Sequence, residues 1–273
     1  SPVAKLAENI ATEFQADPVD GYRALVTRCD IDAVLVLQKD WLGWLPTIAA
    51  CEAGKAVYWA AGFDFDAQSD RRLREQVDRS GVSFMVELPR RFAPATLLMK
   101  ELIATRLGHP KLIFCHRRVP AGKPTVGSAT HPAPADPARG EFIELIDWCQ
   151  YIVGYHAAQV SAVSHGDDEQ GSYRCLSLRF PPSGERPAAL AQVSYGNYIR
   201  PTWKEAASFR PPSELQISCE RGVAFLDLPS SLVWFDEAGR HVESLETETP
   251  VGTRMLSRFH RCVTGLLRDI HDL

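Results

Sequence analysis

Apolar residues recur along the first third of this chain at two spacings, that of amphipathic helices and that of buried strands. The continuous apolar run at 33–37 is typical of a strand buried on both faces of a parallel sheet. Strands that alternate with helices in this way indicate a doubly wound α/β domain. The pattern predicts helices at 3–14, 22–26, 45–52 and about 66–80, and strands at 33–37, 56–59 and 82–86.

The pattern changes in the later part of the chain. A helix is expected between Pro94 and Gly108 and a strand at 111–118, after which residues 119–139 hold five prolines and no apolar period. We expect a mobile loop at 119–139. A helix at 140–153 then leads into runs of strand length separated by turns. These strands are expected at 160–165, 173–180, 189–195, 214–218, 223–226 and 232–235, with a last helix from about residue 253 packed on their sheet.

The fold class predicted is therefore α/β: a partial Rossmann-type doubly wound parallel sheet, followed by an α/β domain with a large, mostly antiparallel open sheet. Residues 1–88 are expected to form the C-terminal part of a dinucleotide-binding domain. Residues 89–273 are expected to form a substrate-binding and oligomerisation domain. An open sheet exposes an apolar face that a second copy would bury, which predicts a homo-oligomer.

The composition argues against a nucleic-acid or membrane partner. The 273 residues are 45% hydrophobic and 23% charged, and the formal net charge is −4 with scattered basic residues. No apolar run reaches the roughly 18 residues of a membrane span. Seven cysteines without paired spacing indicate reduced thiols, a cytoplasmic location and no metal site.

Three segments carry a family resemblance. The strand at 32–36 with the Ala-Gly-Lys turn and strand at 53–58, the Arg-Arg-Phe-Ala-Pro segment at 90–94, and the hairpin at 214–226 resemble the Gfo/Idh/MocA oxidoreductases. That family is named after glucose-fructose oxidoreductase, inositol dehydrogenase and a rhizopine-catabolism protein. The resemblance implies NAD- or NADP-dependent hydride transfer on a small-molecule substrate, namely a sugar, a polyol or a related carbonyl compound.

This sequence departs from the family pattern where the cofactor binds. The family opens with a strand, a G-x-G-x-x-G turn and a helix that hold the pyrophosphate, and this motif occurs nowhere in the 273 residues. We therefore expect that the chain starts after that unit and that it binds NAD or NADP poorly by itself. The family's Glu-Lys-Pro segment aligns with Ala60-Ala61-Gly62, which has no titratable side chain.

The family's Asp-x-Gly-x-His helix start aligns with residues 140–144, so Glu144 takes the position of the usual acid/base histidine. Asp147 matches the later aspartate of the same motif and is a further candidate for the proton-handling residue. A positioned base contributes about 10²- to 10⁴-fold to a rate, and Glu144 can serve if burial raises its pKa. Alternatively, Glu141, Glu144 and Asp147 form a solvated helix face or pair with Arg91 or Arg139.

Further candidates lie at strand ends. Tyr198 and Lys204 are alternative proton-handling residues, and the hydrogen-bonding and stacking groups of Tyr195, Asn197 and Trp203 suit a sugar or polyol. Ligands of open α/β sheets bind beyond the carboxyl ends of the strands. Together with the resemblance, this gives as cofactor-binding candidates Gln38, Lys39, Trp41, Ala60, Ala61 and Arg91.

Two hypotheses remain open from the sequence. The chain is an oxidoreductase, or a fragment of one, with an altered acid/base set. Alternatively, it is a catalytically inactive relative that serves as a binding or assembly module. The residues encoded upstream of Ser1 in the full gene discriminate between the two, because a glycine-rich strand–helix unit there would restore the cofactor site.

Overall fold

The structure is a computed structural model that describes residues 4–38, 42–62, 67–120, 137–167, 171–203, 205–209 and 213–265. The chain divides into two compact units. The first runs to Glu87 and also takes in the chain from Met255, and the second spans Leu88–Arg254.

The first unit is built on three parallel strands connected by helices. Its elements are α1 (Ala4–Phe14), α2 (Tyr22–Val26), β1 (Ala33–Val36), α3 (Leu45–Glu52), β2 (Ala56–Trp59), α4 (Ala67–Ser80) and β3 (Phe84–Val86). The strands lie in the order β1-β2-β3, and every residue of β2 is buried. This is the parallel, helix-connected sheet that the sequence predicts.

The strand β1 differs from its prediction in burial. Leu35 is 47% exposed, although the apolar run predicts a strand covered on both faces. Among the described residues β1 is an edge strand of its sheet, so one of its faces is less completely covered than those of β2. In the connection from α3 to β2, Gly54 has a φ of +69°, as expected for a glycine that closes a helix before a strand.

The second unit contains a larger sheet. Its helices are α5 (Pro89–Phe92), α6 (Pro94–Leu102, extended by a π-helical turn at Ile103–Leu107), α7 (Pro137–Val153) and α8 (Glu205–Ser208). Its strands are β4 (Pro110–Pro120), β5 (Gln159–Asp167), β6 (Gly171–Phe180), β7 (Ala189–Ile199), β8 (Leu215–Cys219), β9 (Val223–Asp227), β10 (Ser231–Asp236) and β11 (Gly239–Ser244).

These eight strands form one open sheet in the order β11-β10-β9-β8-β4-β7-β6-β5. Neighbouring strands run antiparallel except β4 and β7, which are parallel. The predicted large, mostly antiparallel open sheet is therefore confirmed. The strand β11 is an addition to the prediction, and helix α7 begins at Pro137, inside the segment predicted as a loop. Residues 121–136 of that predicted loop lie outside the described residues.

One face of the eight-stranded sheet carries the core of the second unit. Inward-facing side chains such as Ile113, Phe180 and Leu226 pack with Met99 of α6 and Trp148 of α7. The other face leaves large apolar side chains accessible, among them Leu112, Phe114, Val163, Phe235 and Val242. The alternation along each strand thus separates a covered face from an open one.

The last described helix, α9 (Val251–Thr264), does not pack as predicted. Its buried residues are Met255 and Phe259, and the Phe259 ring lies edge-on to Tyr58 of β2, with 5.5 Å between ring centroids. This helix therefore packs within the first unit and not on the large sheet, although its apolar spacing is as predicted. No helix among the described residues is long and apolar enough to cross a bilayer.

Candidate active site

Helix α7 has a buried side and a carboxylate-bearing side. Leu145, Trp148 and Ile152 are buried in the core, and the indole nitrogen of Trp148 donates a hydrogen bond of 3.0 Å to the hydroxyl of Thr96. Glu144 is 30% exposed. Because residues three apart in a helix share a face, Glu141, Glu144 and Asp147 line the accessible side of α7.

Arg90 of α5 contacts two of these carboxylates. Its Nη2 donates a hydrogen bond of 2.8 Å to Oε2 of Glu141, and its Nε lies 3.5 Å from Oε2 of Glu144. The arginine side chain is 13% exposed, and its guanidinium lies 5.8 Å from the ring centroid of Trp148. Burial alone would lower the pKa of Arg90, but the hydrogen bond and charge of Glu141 and the charge of Glu144 raise it overall.

Arg91 forms a separate pair with Asp147. Its Nε donates a hydrogen bond of 2.7 Å to Oδ2, and its Nη2 donates a second, very short one to Oδ1. The guanidinium also lies 5.7 Å from the ring centroid of Tyr151. Such a two-point pair fixes both orientation and separation, so it fastens α5 to the middle of α7.

Two arginines of α5 pair with carboxylates of α7. Asp147 pairs with Arg91, as one of the sequence alternatives predicts, whereas Glu141 and Glu144 contact Arg90, which the sequence does not predict. The side chain of Arg139, the other predicted partner, lies outside the described residues. The signal for Arg90 was present in the Arg-Arg-Phe-Ala-Pro segment, where two consecutive arginines precede a helix. A third arginine, Arg117 near the end of β4, donates a hydrogen bond of 3.0 Å to Oε1 of Glu214.

Pairing with arginine determines what Glu144 can do chemically. A nearby cation favours the ionised form of a carboxylate, which is the form that accepts a proton. The structure therefore places beside Glu144 a group that favours its ionised form, in contrast to the raised pKa by burial that the sequence hypothesis requires.

The carboxyl edge of the three-stranded sheet holds the described cofactor candidates of the first unit. Gln38 is exposed just beyond β1, and the backbone N–H of Ala60 donates a 2.8 Å hydrogen bond to the carbonyl of Val36. Ala61 follows in the connection after β2. Lys39 and Trp41 lie outside the described residues. The remaining candidate, Arg91, belongs to the second unit and pairs with Asp147 as described above.

Two stacked tryptophans lie at this edge of the sheet. The rings of Trp44 and Trp59 stack with centroids 4.1 Å apart, and the indole nitrogen of Trp59 donates a 2.8 Å hydrogen bond to the carbonyl of Gly62. Trp59 is fully buried. The segment Ala60-Ala61-Gly62 is thus held by the strand that precedes it.

A tyrosine–glutamate pair lies close by in the same unit. The hydroxyl of Tyr58 donates a 3.3 Å hydrogen bond to Oε1 of Glu87, the residue after β3. Burial raises the pKa of Tyr58, and the charge of Glu87 and this hydrogen bond raise it further. Tyr58 is therefore a hydrogen-bond donor at neutral pH and not a base.

The candidates near the end of β7 have different environments. Tyr195 is buried and its ring lies 6.0 Å from that of Phe142 in the core. Asn197 accepts hydrogen bonds of 2.5 and 2.9 Å from the backbone N–H and the hydroxyl of Ser172. Tyr198 is partly exposed, and Trp203 is 58% exposed beneath the guanidinium of Arg200, 5.1 Å from its ring centroid.

The accessible rings at this strand end are therefore those of Tyr198 and Trp203. Lys204 lies outside the described residues. Across the described part of the chain, no group of three or more histidine, cysteine, aspartate or glutamate side chains is arranged to hold a metal ion.

Comparison with solved structures finds the same fold in NAD-binding oxidoreductases. An NAD-binding oxidoreductase from Klebsiella pneumoniae superposes with a TM-score of 0.75 at 17% identity, covering 99% of this chain and 80% of the other. Levoglucosan dehydrogenase in complex with NADH and levoglucosan gives a TM-score of 0.74 at 16% identity over 96% of this chain and 78% of its own. Aldose-aldose oxidoreductase from Caulobacter crescentus, in complex with glycerol, gives 0.73 at 15% identity over 96% and 79%.

The fold is thus that of oxidoreductases of the Gfo/Idh/MocA type, as the sequence resemblance implies. No family model and no curated protein sequence matches the chain. The likeness lies in the three-dimensional arrangement of the elements.

The described residues do not fit the pyrophosphate of a dinucleotide. Phosphate oxygens need a helix N-terminus that glycines leave open to close approach. Helix α3, which follows β1, has Trp44 at its N-cap position without a side-chain capping bond, and a proline in its first turn removes a backbone N–H that a phosphate would need.

Proposed function

We propose that this chain is an NAD(P)-dependent oxidoreductase of the Gfo/Idh/MocA type, or a part of one, that acts on a sugar, a polyol or a related carbonyl compound. The observation that carries the proposal is the arginine-anchored carboxylate side of α7, in a chain with the fold of levoglucosan dehydrogenase and aldose-aldose oxidoreductase. The bound levoglucosan and glycerol of those two proteins support a polyhydroxylated substrate here.

Glu144 is the proton acceptor in this proposal. Oxidation of an alcohol to a carbonyl requires removal of the hydroxyl proton, and an ionised carboxylate can take it. Glu144 is partly exposed and faces Arg90, which supports this role. Asp147 holds its helix through Arg91, and Tyr198 or Lys204 are the alternative proton-handling groups.

The substrate side is assigned to the end of β7. The accessible rings of Tyr198 and Trp203 can stack on the apolar face of a sugar, and Arg200 lies over Trp203. Tyr195 and Asn197 support this strand end, through core packing and through the hydrogen bonds to Ser172.

Cofactor binding by these 273 residues is proposed to be weak. The candidates are Gln38, Lys39, Trp41, Ala60, Ala61 and Arg91, and the sequence has no G-x-G-x-x-G motif to hold a pyrophosphate beside them. Isothermal titration of the 273-residue protein with NADH and NADPH should detect no binding in the micromolar range. Micromolar affinity for either dinucleotide would overturn this part of the proposal.

The enzymatic assignment is tested with the protein encoded by the whole gene. Its reading frame is read upstream of Ser1 for a strand followed by G-x-G-x-x-G, and the purified product is assayed with NAD and NADP against a panel of sugars and polyols. Cofactor-dependent formation of NADH or NADPH supports the proposal. An upstream region without the motif, together with no turnover on the panel, would leave the binding or assembly module as the better account.

We also propose that the protein is a cytoplasmic homo-oligomer. On the open face of the eight-stranded sheet, the strand register runs from Phe114 through Gln216 to Phe225, Val233 and Val242, so four of these five side chains are apolar. Phe114 and Val242 are exposed in the single chain, and a second copy would remove this apolar surface from water. The free thiols of all seven cysteines support a reducing compartment.

A further inference from the structure

Arg90 and Arg91 are neighbours in sequence, but they bind their carboxylates in different ways. Arg91 directs two hydrogen bonds at a single partner, Asp147. Arg90 divides its guanidinium between two partners, with a direct hydrogen bond to Glu141 and a longer contact to Glu144. The Nε atom of Arg90, 3.5 Å from Glu144, does not have hydrogen-bond geometry there.

The guanidinium of Arg90 is held in place by contact with a buried aromatic ring. It lies over the ring of Trp148, and that ring is itself held by the hydrogen bond from its indole nitrogen to Thr96. Both Trp148 and Thr96 are completely buried. A surface ion pair has no such support, so this chain of contacts from Thr96 to Arg90 holds the positive charge at one position.

We propose that Arg90 is the positioning residue for Glu144: Glu141 fixes the guanidinium by a hydrogen bond, and the guanidinium holds the Glu144 carboxylate ionised at the accessible side of α7. This inference rests on the proposed function of Glu144 as proton acceptor. The two glutamates have different roles because Arg90 donates a hydrogen bond to Glu141, whereas its contact with Glu144 is electrostatic. Glu144 is thereby kept in the charged form that accepts a proton.

Other charged and titratable groups lie on α7 and on the elements packed against it. They are Glu141, Asp147, Cys149 and Tyr151 on α7, Arg91 on α5, Lys100 and Glu101 on α6, Lys111, Cys115, His116, Arg117 and Arg118 on β4, and Tyr195 and Tyr198 on β7, with Glu214 just before β8. Asp147 and Glu214 each pair with their own arginine, Arg91 and Arg117. Lys100 bonds the carbonyl of Tyr151 near the far end of α7. Arg90 is the cation that lies 3.5 Å from the Glu144 carboxylate, so its removal is expected to change the titration of Glu144.

The test is a pH titration of the glutamate carboxyl carbons by NMR in the 273-residue protein, with Glu144 assigned from the spectrum of Glu144→Gln. Arg90→Gln removes the cation, and the Glu144 midpoint should rise by about one pH unit, a typical effect of one charge at this distance. Arg90→Lys keeps the charge, but a lysine cannot contact both glutamates with one planar group. The Glu144 midpoint in this variant should therefore lie between those of the parent protein and Arg90→Gln.

Arg91→Gln is the matched control, because it removes a neighbouring arginine that also fastens α5 to α7. Its Glu144 midpoint should stay within about 0.3 pH units of the parent, given that Arg91 pairs with Asp147. Circular dichroism checks that each variant is folded, and Arg90→Lys remains informative if Arg90→Gln does not fold.

Two results would overturn the inference. One is a Glu144 midpoint that is unchanged in both Arg90 variants. The other is a Glu144 midpoint that rises as much in Arg91→Gln as in Arg90→Gln, because the shift would then come from loosening the contact between α5 and α7 and not from the charge of Arg90. Because the titration needs no turnover, its outcome is separate from that of the oxidoreductase assay. Where the whole-gene protein is active, the acid limb of kcat/KM should move with the Glu144 midpoint.

Discussion

The guanidinium of Arg91 and the carboxylate of Asp147 meet through two hydrogen bonds, although the residues are 56 positions apart in sequence. The pair connects α5, which opens the second unit, to the middle of its long helix α7. The Asp147 side chain is 16% exposed, so little water is available to replace the arginine if the pair is broken. Its first role is therefore structural.

Replacing one partner of this pair should destabilise the second unit. Asp147→Asn leaves the Arg91 charge without its anion, and we expect a loss of about 1 to 3 kcal/mol in the free energy of unfolding. Urea denaturation followed by the far-ultraviolet circular dichroism measures it. Asp227→Asn, which changes an aspartate on β9, serves as a control, and an equal loss in both variants would contradict a special contribution of the Arg91–Asp147 pair.

Glu144→Gln should reduce turnover of the active whole-gene protein by about 10²- to 10⁴-fold, the usual contribution of a positioned base. The amide is close in size to the carboxylate and cannot accept the proton. Steady-state kinetics with the best substrate of the panel measure the effect. Glu101→Gln makes the same change at an exposed glutamate of α6 and should retain more than a tenth of the activity.

Unchanged turnover in Glu144→Gln would remove this residue from the mechanism. The alternatives Tyr198 and Lys204 would then be tested by Tyr198→Phe and Lys204→Met. Each of these substitutions removes the proton-carrying group with little change in side-chain size.

Phe114→Asp should dissociate the proposed oligomer. The side chain stands in the apolar row of the open sheet face and is 40% exposed in the single chain, so a charge there opposes burial by a second copy. Sedimentation velocity measures the change in mass. Phe14→Asp is the matched control, because Phe14 is an exposed phenylalanine of α1 and not part of the sheet. Dissociation by both variants, or by neither, would contradict an interface at this face.

Gly222→Ala should destabilise the β8–β9 hairpin by about 1 to 3 kcal/mol, a usual cost of an added methyl group in a packed site. A Cβ at Gly222 would collide with the carbonyl of Phe235 and lie 2.7 Å from Cδ2 of Leu107. Thermal unfolding followed by circular dichroism measures the loss. Gly252→Ala, in α9, meets no atom within 4 Å and should be neutral or stabilising by up to about 1 kcal/mol.

Gly222 shows which features of the structure can be predicted from the sequence and which cannot. Its place in a family-like segment could be recognised, but its physical reason is the approach of Phe235 and Leu107, which lie far from it in sequence. Most helices and strands were predicted because their apolar periods are local. The strand β11, residues 239–244, is not predicted from the sequence because it is largely exposed and polar, without a clear apolar period. Its position is determined by pairing with β10, which cannot be inferred from its own residues.

The site was less predictable than the fold for the same reason. The stripe of Glu141, Glu144 and Asp147 follows from helical spacing alone, but the assignment of Arg90 and Arg91 to particular carboxylates depends on how α5 meets α7. The packing of α9 beside Tyr58 also could not be read from its apolar face, which fits any hydrophobic partner. Periodicity gives the face of an element and leaves its partner undetermined.

The position of β4 has a consequence for the order in which the large sheet can assemble. The strands β5 to β7 and β8 to β11 are each contiguous in sequence and can form as meanders through short turns. β4 lies between these two meanders, so its pairing with β7 and with β8 must close loops that contain most of the second unit. During synthesis, β4 can pair with β7 only after Ile199 has emerged and with β8 only after Cys219 has emerged, so the meanders are the natural places for folding to begin.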